Sequence, residues 1–274
     1  METYIGHLNK MKVEDAEDAV NYHLPLDEQR IHLNPLLGKQ VRLHFTGTII
    51  CETCGSNIKK TYADGHCYPC TMRLASCDLC IMKPETCHYE KGTCREPDWG
   101  LRNCFTHHYV YLANTGGVKV GITRHTNLPS RWLDQGATQA IPILKVSSRL
   151  QSGMFEMMLK KHVADKTNWR EMLKGIPTEV DLEERREELF EACAYQMDDL
   201  LGQYGDDIEV LDEETQRAFH YPVLEYPTKV SSLNLDKKPT IEGRLMGIKG
   251  QYLIFDVGVI NIRKYSAYEV EFSA

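Results

Sequence analysis

The sequence predicts an α+β protein of several units, and three observations lead to this class. Stretches near both ends of the chain alternate between apolar and polar residues as β-strands do, whereas the middle follows the order strand, turn, strand, helix. A segment rich in cysteine separates the first strands from this middle. We therefore expect five units along the chain, at residues 1–50, 51–104, 105–175, 176–236 and 237–274.

The two outer units contain the strand-like stretches. Residues 1–50 include TYIGHL, VNYHLPL and QVRLHFTGTII, and residues 237–274 supply three or four more strands separated by glycine turns. Because the opening TYIGHLNKM is similar to the later GRLMGIKG, we expect the two units to pack together as one small barrel or one sheet.

The fourth unit is acidic and helical. Residues 178–204 predict one long amphipathic helix with an acidic first turn. Cys193 lies on the apolar side of this helix, so we expect it to be a packed core thiol.

The composition is that of a soluble globular protein. Of the 274 residues 42% are hydrophobic and 26% are charged, and no apolar run approaches the roughly 18 residues of a membrane helix. The opening METYIGHLNKMKVED has neither the basic nor the apolar segment of a secretion signal. We expect a cytoplasmic protein with no membrane partner, in which reducing conditions leave the cysteines free to bind metal.

The charge is segregated along the chain. The formal net charge is −7, yet residues 105–175 carry 10 Lys/Arg against 4 Asp/Glu, whereas residues 176–236 carry 4 against 17. The basic middle favours nucleic acid, DNA or RNA, as a partner. The acidic helix offers a surface for a basic protein partner, although a solvated helix face explains the same charges.

Four cysteines form two Cys-x2-Cys pairs that are separated by twelve residues, Cys51 with Cys54 and Cys67 with Cys70. Two such thiolate pairs can complete a tetrahedron around Zn²⁺. The surrounding sequence has too little apolar mass to bury four free thiols in a core. The pattern therefore predicts a structural zinc site.

A second cysteine set follows, and its ligands are less defined. It consists of Cys77, Cys80, Cys87 and Cys94. Four further residues are alternative ligands, namely His88, Cys104, His107 and His108. We predict a second structural zinc in this set, with an iron–sulfur cluster as the alternative, since four thiolates satisfy either.

The middle unit begins with the hairpin YVYLANTGGVKVGIT, which concentrates side chains able to transfer protons or bind phosphate. The pattern Tyr111…Lys119-Val-Gly121-Ile-Thr123…Asn127-Leu-Pro-Ser-Arg131 resembles the GIY-YIG endonuclease superfamily, whose domain is a three-stranded antiparallel sheet flanked by helices. The whole chain is also similar to a bacterial zinc-binding family that carries such a domain. The sequence departs from the family's pattern in two places, because Tyr109-Val110-Tyr111 replaces Gly-Ile-Tyr and Lys119 replaces the tyrosine of the second motif.

This resemblance implies catalytic roles for four residues. Tyr111 would accept the proton of an attacking water. Lys119 replaces the tyrosine of the second motif, and its charge would lower the pKa of Tyr111. Arg131 would stabilise the charge that develops on the phosphate, and Glu156 would hold one Mg²⁺. The substrate-binding positions are Arg124, His125, His162 and Asn168.

Each catalytic candidate also has a structural explanation. Tyr111 could be a packed strand aromatic, Lys119 a solvent-facing lysine, and Glu156 the partner of Lys160 in an i,i+4 pair. The sequence predicts a nucleic-acid-binding protein whose middle unit is a metal-dependent endonuclease. The alternatives are a non-catalytic zinc-dependent RNA- or DNA-binding module, for example one associated with the ribosome or tRNA, and a protein-interaction scaffold.

Overall fold

The computed structural model describes residues 2–274, which form a mixed α/β fold with three antiparallel sheets. The strands, in chain order, are β1 Thr3–His7, β2 Lys12–Glu14, β3 Asn21–Leu26, β4 Gln29–His32, β5 Gln40–Ile49, β6 His108–Asn114, β7 Val118–Arg124, β8 Gln139–Val146, β9 Ile208–Val210, β10 Arg217–Ala218, β11 Thr240–Lys249, β12 Tyr252–Phe255, β13 Gly258–Asn261 and β14 Tyr268–Ser273. The α-helices are α1 Tyr68–Arg73, α2 Leu79–Met82, α3 Pro97–Asn103, α4 Ser130–Asp134, α5 Arg149–Leu159, α6 Trp169–Met172, α7 Leu182–Ala192 and α8 Ala194–Tyr204.

The largest sheet joins strands from both ends of the chain. Its order is β1-β14-β5-β11-β12-β13, and every pair is antiparallel. The predicted shared sheet is therefore confirmed for β1, β5 and the C-terminal strands, whereas β3 of the N-terminal unit lies in the separate sheet β2-β3-β4. The barrel alternative is wrong, because within residues 2–274 none of the three sheets closes on itself.

Alternating residues of this sheet face a common apolar core. Val41 and Leu43 on β5 are buried beside Val270 and Phe272 on β14. The small sheet β2-β3-β4 packs on the same core, to which it contributes Tyr22. The period of two in the sequence thus corresponds to one buried face on each strand.

The middle unit forms a second sheet, of order β10-β8-β6-β7, with β9 also paired to β8. Strands β6, β7 and β8, with β7 at one edge, are the three strands that the sequence predicts there. The two added strands come from the acidic segment, so residues of that segment complete the sheet of the basic unit. Helix α5 packs across it, with Phe155 and Leu159 buried against β6 and β7.

Helix α5 begins and ends for identifiable reasons. Ser148 and Gln151 form a reciprocal capping box at its start. The helix stops at Leu159, because the chain turns there and the carbonyl of Ala164 accepts a hydrogen bond of 2.8 Å from the amide of Val120 on β7.

The prediction of a single long helix over residues 178–204 is wrong, because the chain forms two helices, α7 and α8, with a break at Cys193. Cys193 has a non-helical ψ of 9° and is buried, as predicted for its thiol. The break keeps Leu189 of α7 and Met197 of α8 on the same apolar core as α5.

The Gln251 side chain links three parts of the chain. Its amide exchanges hydrogen bonds with the backbone N–H and C=O of Met11, at 2.8 and 3.1 Å, and donates to Asp134 at 2.8 Å. The Asp134 carboxylate also binds Lys10. Gly250 precedes the glutamine with a left-handed φ of 60° and approaches the backbone of α4 too closely for a side chain. This junction fixes α4 against both terminal units.

None of the helices formed by residues 2–274 combines the length and the apolar character that crossing a bilayer requires.

We expect Gln251→Ala to lower the free energy of unfolding by about 1–3 kcal/mol, because the buried N–H and C=O of Met11 lose their partners. Denaturant unfolding of the full chain measures this change. The matched control is Gln203→Ala, at an exposed position of α8, which should change stability by less than about 0.5 kcal/mol. Equal losses for the two variants would contradict the role of Gln251.

Candidate functional site

The first cysteine set comes together in space. The sulfurs of Cys51, Cys54, Cys67 and Cys70 all lie within 4.8 Å of one another, and those of Cys54 and Cys67 are 3.8 Å apart. The amide of Cys67 donates to the Cys51 sulfur at 3.2 Å. The four cysteines are thus positioned like a zinc site.

Local structure explains this convergence. Cys51 lies two residues after the end of β5, and the chain reverses through Gly55 and Gly65, both with positive φ. Cys67 and Cys70 stand at the start of α1 and within its first turn. Contacts with Ser56 lower the pKa of the exposed Cys54 thiol to about 6, so this sulfur is a thiolate at neutral pH.

The second set is brought together only in part. Cys80, Cys87 and Cys94 line one cavity, and the fourth cysteine of that cavity is Cys104. Cys77 lies apart, with Ser76 and Asp64 among its neighbours. Burial, followed by the charges of nearby groups that include the other three cavity cysteines, raises the pKa of Cys80 to about 11.

The histidine alternatives differ in position. His88 lies within 4.8 Å of Cys80 and Asp78. His107 packs edge-on to His125 at 6.2 Å, and His108 is buried with its Nδ1 2.7 Å from the carbonyl oxygen of Thr106. Neither of these two lines the cavity of the four cysteines.

Tyr111 lies at the centre of β6, directly opposite Gly121 of β7. A Cβ at Gly121 would be 2.6 Å from the phenol oxygen, so only glycine leaves room for the ring. The hydroxyl of Tyr111 donates to the Gln135 side chain at 3.0 Å. Burial raises the pKa of Tyr111, and the neighbouring Arg131 opposes the increase.

Lys119 and Arg131 bring two positive charges to this tyrosine. Lys119 on β7 is only 4% exposed, and burial, reinforced by the charge of Arg131, lowers its pKa to about 8. Burial alone would lower the pKa of Arg131 on α4, but Tyr111 together with the carboxylates of Asp134 and Glu156 raises it overall.

Glu156 on α5 is the negative member of the group. Burial and the charge of Asp165 raise its pKa, while Lys160, Arg149 and Lys119 act in the opposite direction. Neither Glu156 nor Lys119 belongs to any ion pair among residues 2–274, so the i,i+4 pair with Lys160 is not formed. Tyr111, Lys119, Arg131 and Glu156 therefore meet as one electrostatic cluster, called the central cluster below.

The four predicted substrate-binding residues are not members of the central cluster. Arg124 binds the side chain of Asn103, and His125 contacts His107. His162 is exposed after α5, and Asn168 uses its side chain to cap α6 through the amide of Glu171 at 3.5 Å.

Three further residues lie near the central cluster and were not among the predicted catalytic residues. Gln135 lies four residues after Arg131, and Arg149 lies seven residues before Glu156 on the same helix, so helical periodicity could have indicated both. Asp165 follows the end of α5 in a loop, where no local pattern points to it.

The fold and these sites define a mixed α/β protein with a four-cysteine unit positioned like a zinc site and a buried cluster of ionisable residues on a separate sheet. Residues 38–270 match the family described as Protein of unknown function (DUF2797), and because this match spans most of the chain, the chain belongs to that family. Comparison with curated proteins and with solved structures gives no match. The resemblance to the GIY-YIG superfamily stays a prediction from the motif.

The lowered pKa of Lys119 makes stability depend on pH. Unfolding restores its ordinary value of 10.5, so between about pH 8 and pH 10 the unfolded chain binds more protons than the folded one. We therefore expect the free energy of unfolding to rise with pH in this window, and Lys119→Met to remove up to about 3 kcal/mol of that increase.

Denaturant unfolding at several pH values measures the difference between the wild-type and variant slopes. Burial also lowers the pKa of Lys249 to about 8, but this contribution is the same in both proteins and cancels. The difference between the slopes therefore isolates Lys119. Lys160→Met, at an exposed position, should keep the wild-type slope. A Lys119→Met slope equal to that of the wild type would contradict the burial of this charge.

Proposed function

We propose that this protein binds nucleic acid through its basic middle unit and hydrolyses phosphodiester bonds at the central cluster. The observation that carries this proposal is the meeting of Tyr111, Lys119, Arg131 and Glu156, which come from β6, β7, α4 and α5 and act on one another's pKa values. Residues so distant in sequence share one location only through the fold.

The cations of the central cluster suit a phosphodiester. Arg131 lies close enough to Lys119 for its charge to disfavour protonation of the amine, and Arg149 acts on the carboxylate of Glu156. The guanidinium of Arg131 can also donate two parallel hydrogen bonds to phosphate oxygens.

Glu156 is the proposed ligand for a divalent cation. Its carboxylate has no cationic partner within ion-pair distance, and Asp165 lies near enough to raise its pKa. Mg²⁺ takes one or two carboxylates and completes its coordination with water. A bound cation would supply electrostatic stabilisation of the charge that develops on the phosphate.

The proton acceptor that we propose is Lys119, not Tyr111. The tyrosine hydroxyl already donates its proton to Gln135, and burial raises its pKa, so it is a poor base at neutral pH. The pKa of Lys119 is about 8, which leaves part of the amine neutral and able to accept a proton from water. Tyr111 then positions Gln135 and Arg131.

The cysteine unit and the acidic helices complete the proposal. Zn²⁺ at Cys51, Cys54, Cys67 and Cys70 would fix the loop that follows β5, because four thiolates close its coordination sphere. The exposed acidic residues of α7 offer a face for a basic protein partner.

One observation favours a second function, a non-catalytic binding module for RNA or DNA. The Tyr111 side chain is fully buried and cannot contact a substrate. In that case the cations of the central cluster would bind phosphate without cleavage.

We expect the purified protein to cleave nucleic acid when Mg²⁺ or Mn²⁺ is present, and Glu156→Ala to reduce the rate by about 100-fold or more. A gel assay on labelled single- and double-stranded DNA and RNA measures this. Glu187→Ala, which removes an exposed carboxylate of α7, should leave the rate unchanged. Salt-sensitive binding without cleavage would select the binding module, and cleavage that survives Glu156→Ala would refute this metal ligand.

The choice of base has its own test. We expect the cleavage rate to rise with pH up to about 8 and Lys119→Met to lose about 100-fold or more, because a general base contributes roughly that factor. Tyr111→Phe removes only the hydroxyl and should cost less than about 10-fold, with the pH profile kept. A Tyr111→Phe loss as large as that of Lys119→Met would return the role of base to the tyrosine.

A further inference from the structure

We propose that Cys80, Cys87, Cys94 and Cys104 hold a [4Fe–4S] cluster, a second metal site that is different in kind from the one at Cys51. The first observation is that these four thiols line a single cavity, although they come from α2, the loop that follows it and the end of α3. Four thiolates are the complete protein ligand set of such a cluster.

The distances between sulfur atoms distinguish the two cysteine sites. A single zinc with bonds of about 2.3 Å holds its four sulfurs about 3.8 Å apart, and the set at Cys51 has this geometry, with 3.8 Å between Cys54 and Cys67. Among residues 2–274, the cavity cysteines form no group of three whose sulfurs all lie within 4.8 Å. In a [4Fe–4S] cluster each cysteine binds a different iron, so its sulfurs stand farther apart around a shared core.

The sequence prediction of a second zinc at Cys77, Cys80, Cys87 and Cys94 is not favoured by this arrangement. Cys77 does not line the cavity, and Cys104 takes the fourth position. The pair Cys77-x2-Cys80 therefore resembles a zinc knuckle in sequence without acting as one.

The nearby group of Asp78, Cys80 and His88 is not a competing cation site. The Asp78 carboxylate is 2.5 Å from Nε of Arg95, and its other oxygen accepts from the amide of Cys80 at the start of α2. An arginine at this distance occupies the carboxylate and repels a metal ion.

The walls of the cavity suit an iron–sulfur cluster. Tyr89 and Phe105 both line it and pack on each other with their ring centroids 4.6 Å apart. Arg149 and Arg124 lie close enough for their charges to act on the Cys104 thiol, and the Arg149 amide donates to the Cys104 carbonyl at 2.8 Å. A cluster with four thiolates carries net negative charge, which these arginines offset.

The site also supports the helix that carries Glu156. Pro84, in the loop between Cys80 and Cys87, lies against Gly153 of α5 so closely that a Cβ there would be 2.5 Å from the proline ring. Gly153 is one helical turn before Glu156. A cluster that fixes this loop would therefore brace α5, whether or not the central cluster is catalytic.

The test is metal and sulfide analysis of the full chain, purified without oxygen. We expect about four iron and four inorganic sulfide per chain, together with about one zinc, and a visible absorption from charge transfer between sulfur and iron. Cys104→Ala should lose the iron and keep the zinc, Cys67→Ala should lose the zinc and keep the iron, and Cys77→Ala should keep both.

Two results would overturn the proposal. One is about two zinc per chain with no absorption after anaerobic reconstitution with ferrous iron and sulfide. The other is a Cys77→Ala protein that loses its iron while Cys104→Ala retains it. Because metal analysis and reconstitution of the wild-type chain need no variant, they decide the matter even where a cysteine substitution prevents folding.

Discussion

The carboxylate of Asp134 is the contact on which the arrangement of the molecule depends. It receives Lys10 from the N-terminal unit and Gln251 from the C-terminal sheet, and it lies on the short helix α4 of the middle unit. A helix of this length has little stability of its own, so these buried polar contacts and the surrounding core hold it in place. The position of Arg131, on the same helix, follows from them. The terminal units thus help to fix the helix that carries a residue of the central cluster.

The central cluster combines buried ionisable side chains that folded proteins normally leave in contact with solvent. Lys119 is almost fully buried without an ion-pair partner, and Arg131 increases the cost of its charge. Glu156 offsets part of this cost, yet it too lies in surroundings that favour its neutral form. Such groups can be tolerated where a ligand of suitable charge completes the set. This imbalance distinguishes the cluster from an ordinary network of structural ion pairs.

Local patterns in the sequence predicted the individual strands and helices better than they predicted the contacts between these elements. The alternation in residues 40–49 located β5, and the spacing of two cysteine pairs located the four-sulfur group at Cys51. Cys104 was only an alternative ligand, because its approach to Cys80 depends on how α3 folds back over the loop. The break at Cys193 has a similar origin, since packing against α5 overrides the periodicity of one continuous helix. Strands of two or three residues from the acidic segment carried no detectable period, so their pairing with β8 was missed.

The order of strands in the largest sheet has a consequence for synthesis. β5 lies between β14 and β11, so neither of its edges can pair in this sheet until residues 240–273 have left the ribosome. At roughly 5–20 residues per second those 34 residues alone take about 2–7 seconds. During that interval a strand of ten residues exposes unpaired N–H and C=O groups, a form that pairs readily with other chains. The four-cysteine loop that starts at Cys51 can close much earlier and would tether one end of the waiting strand.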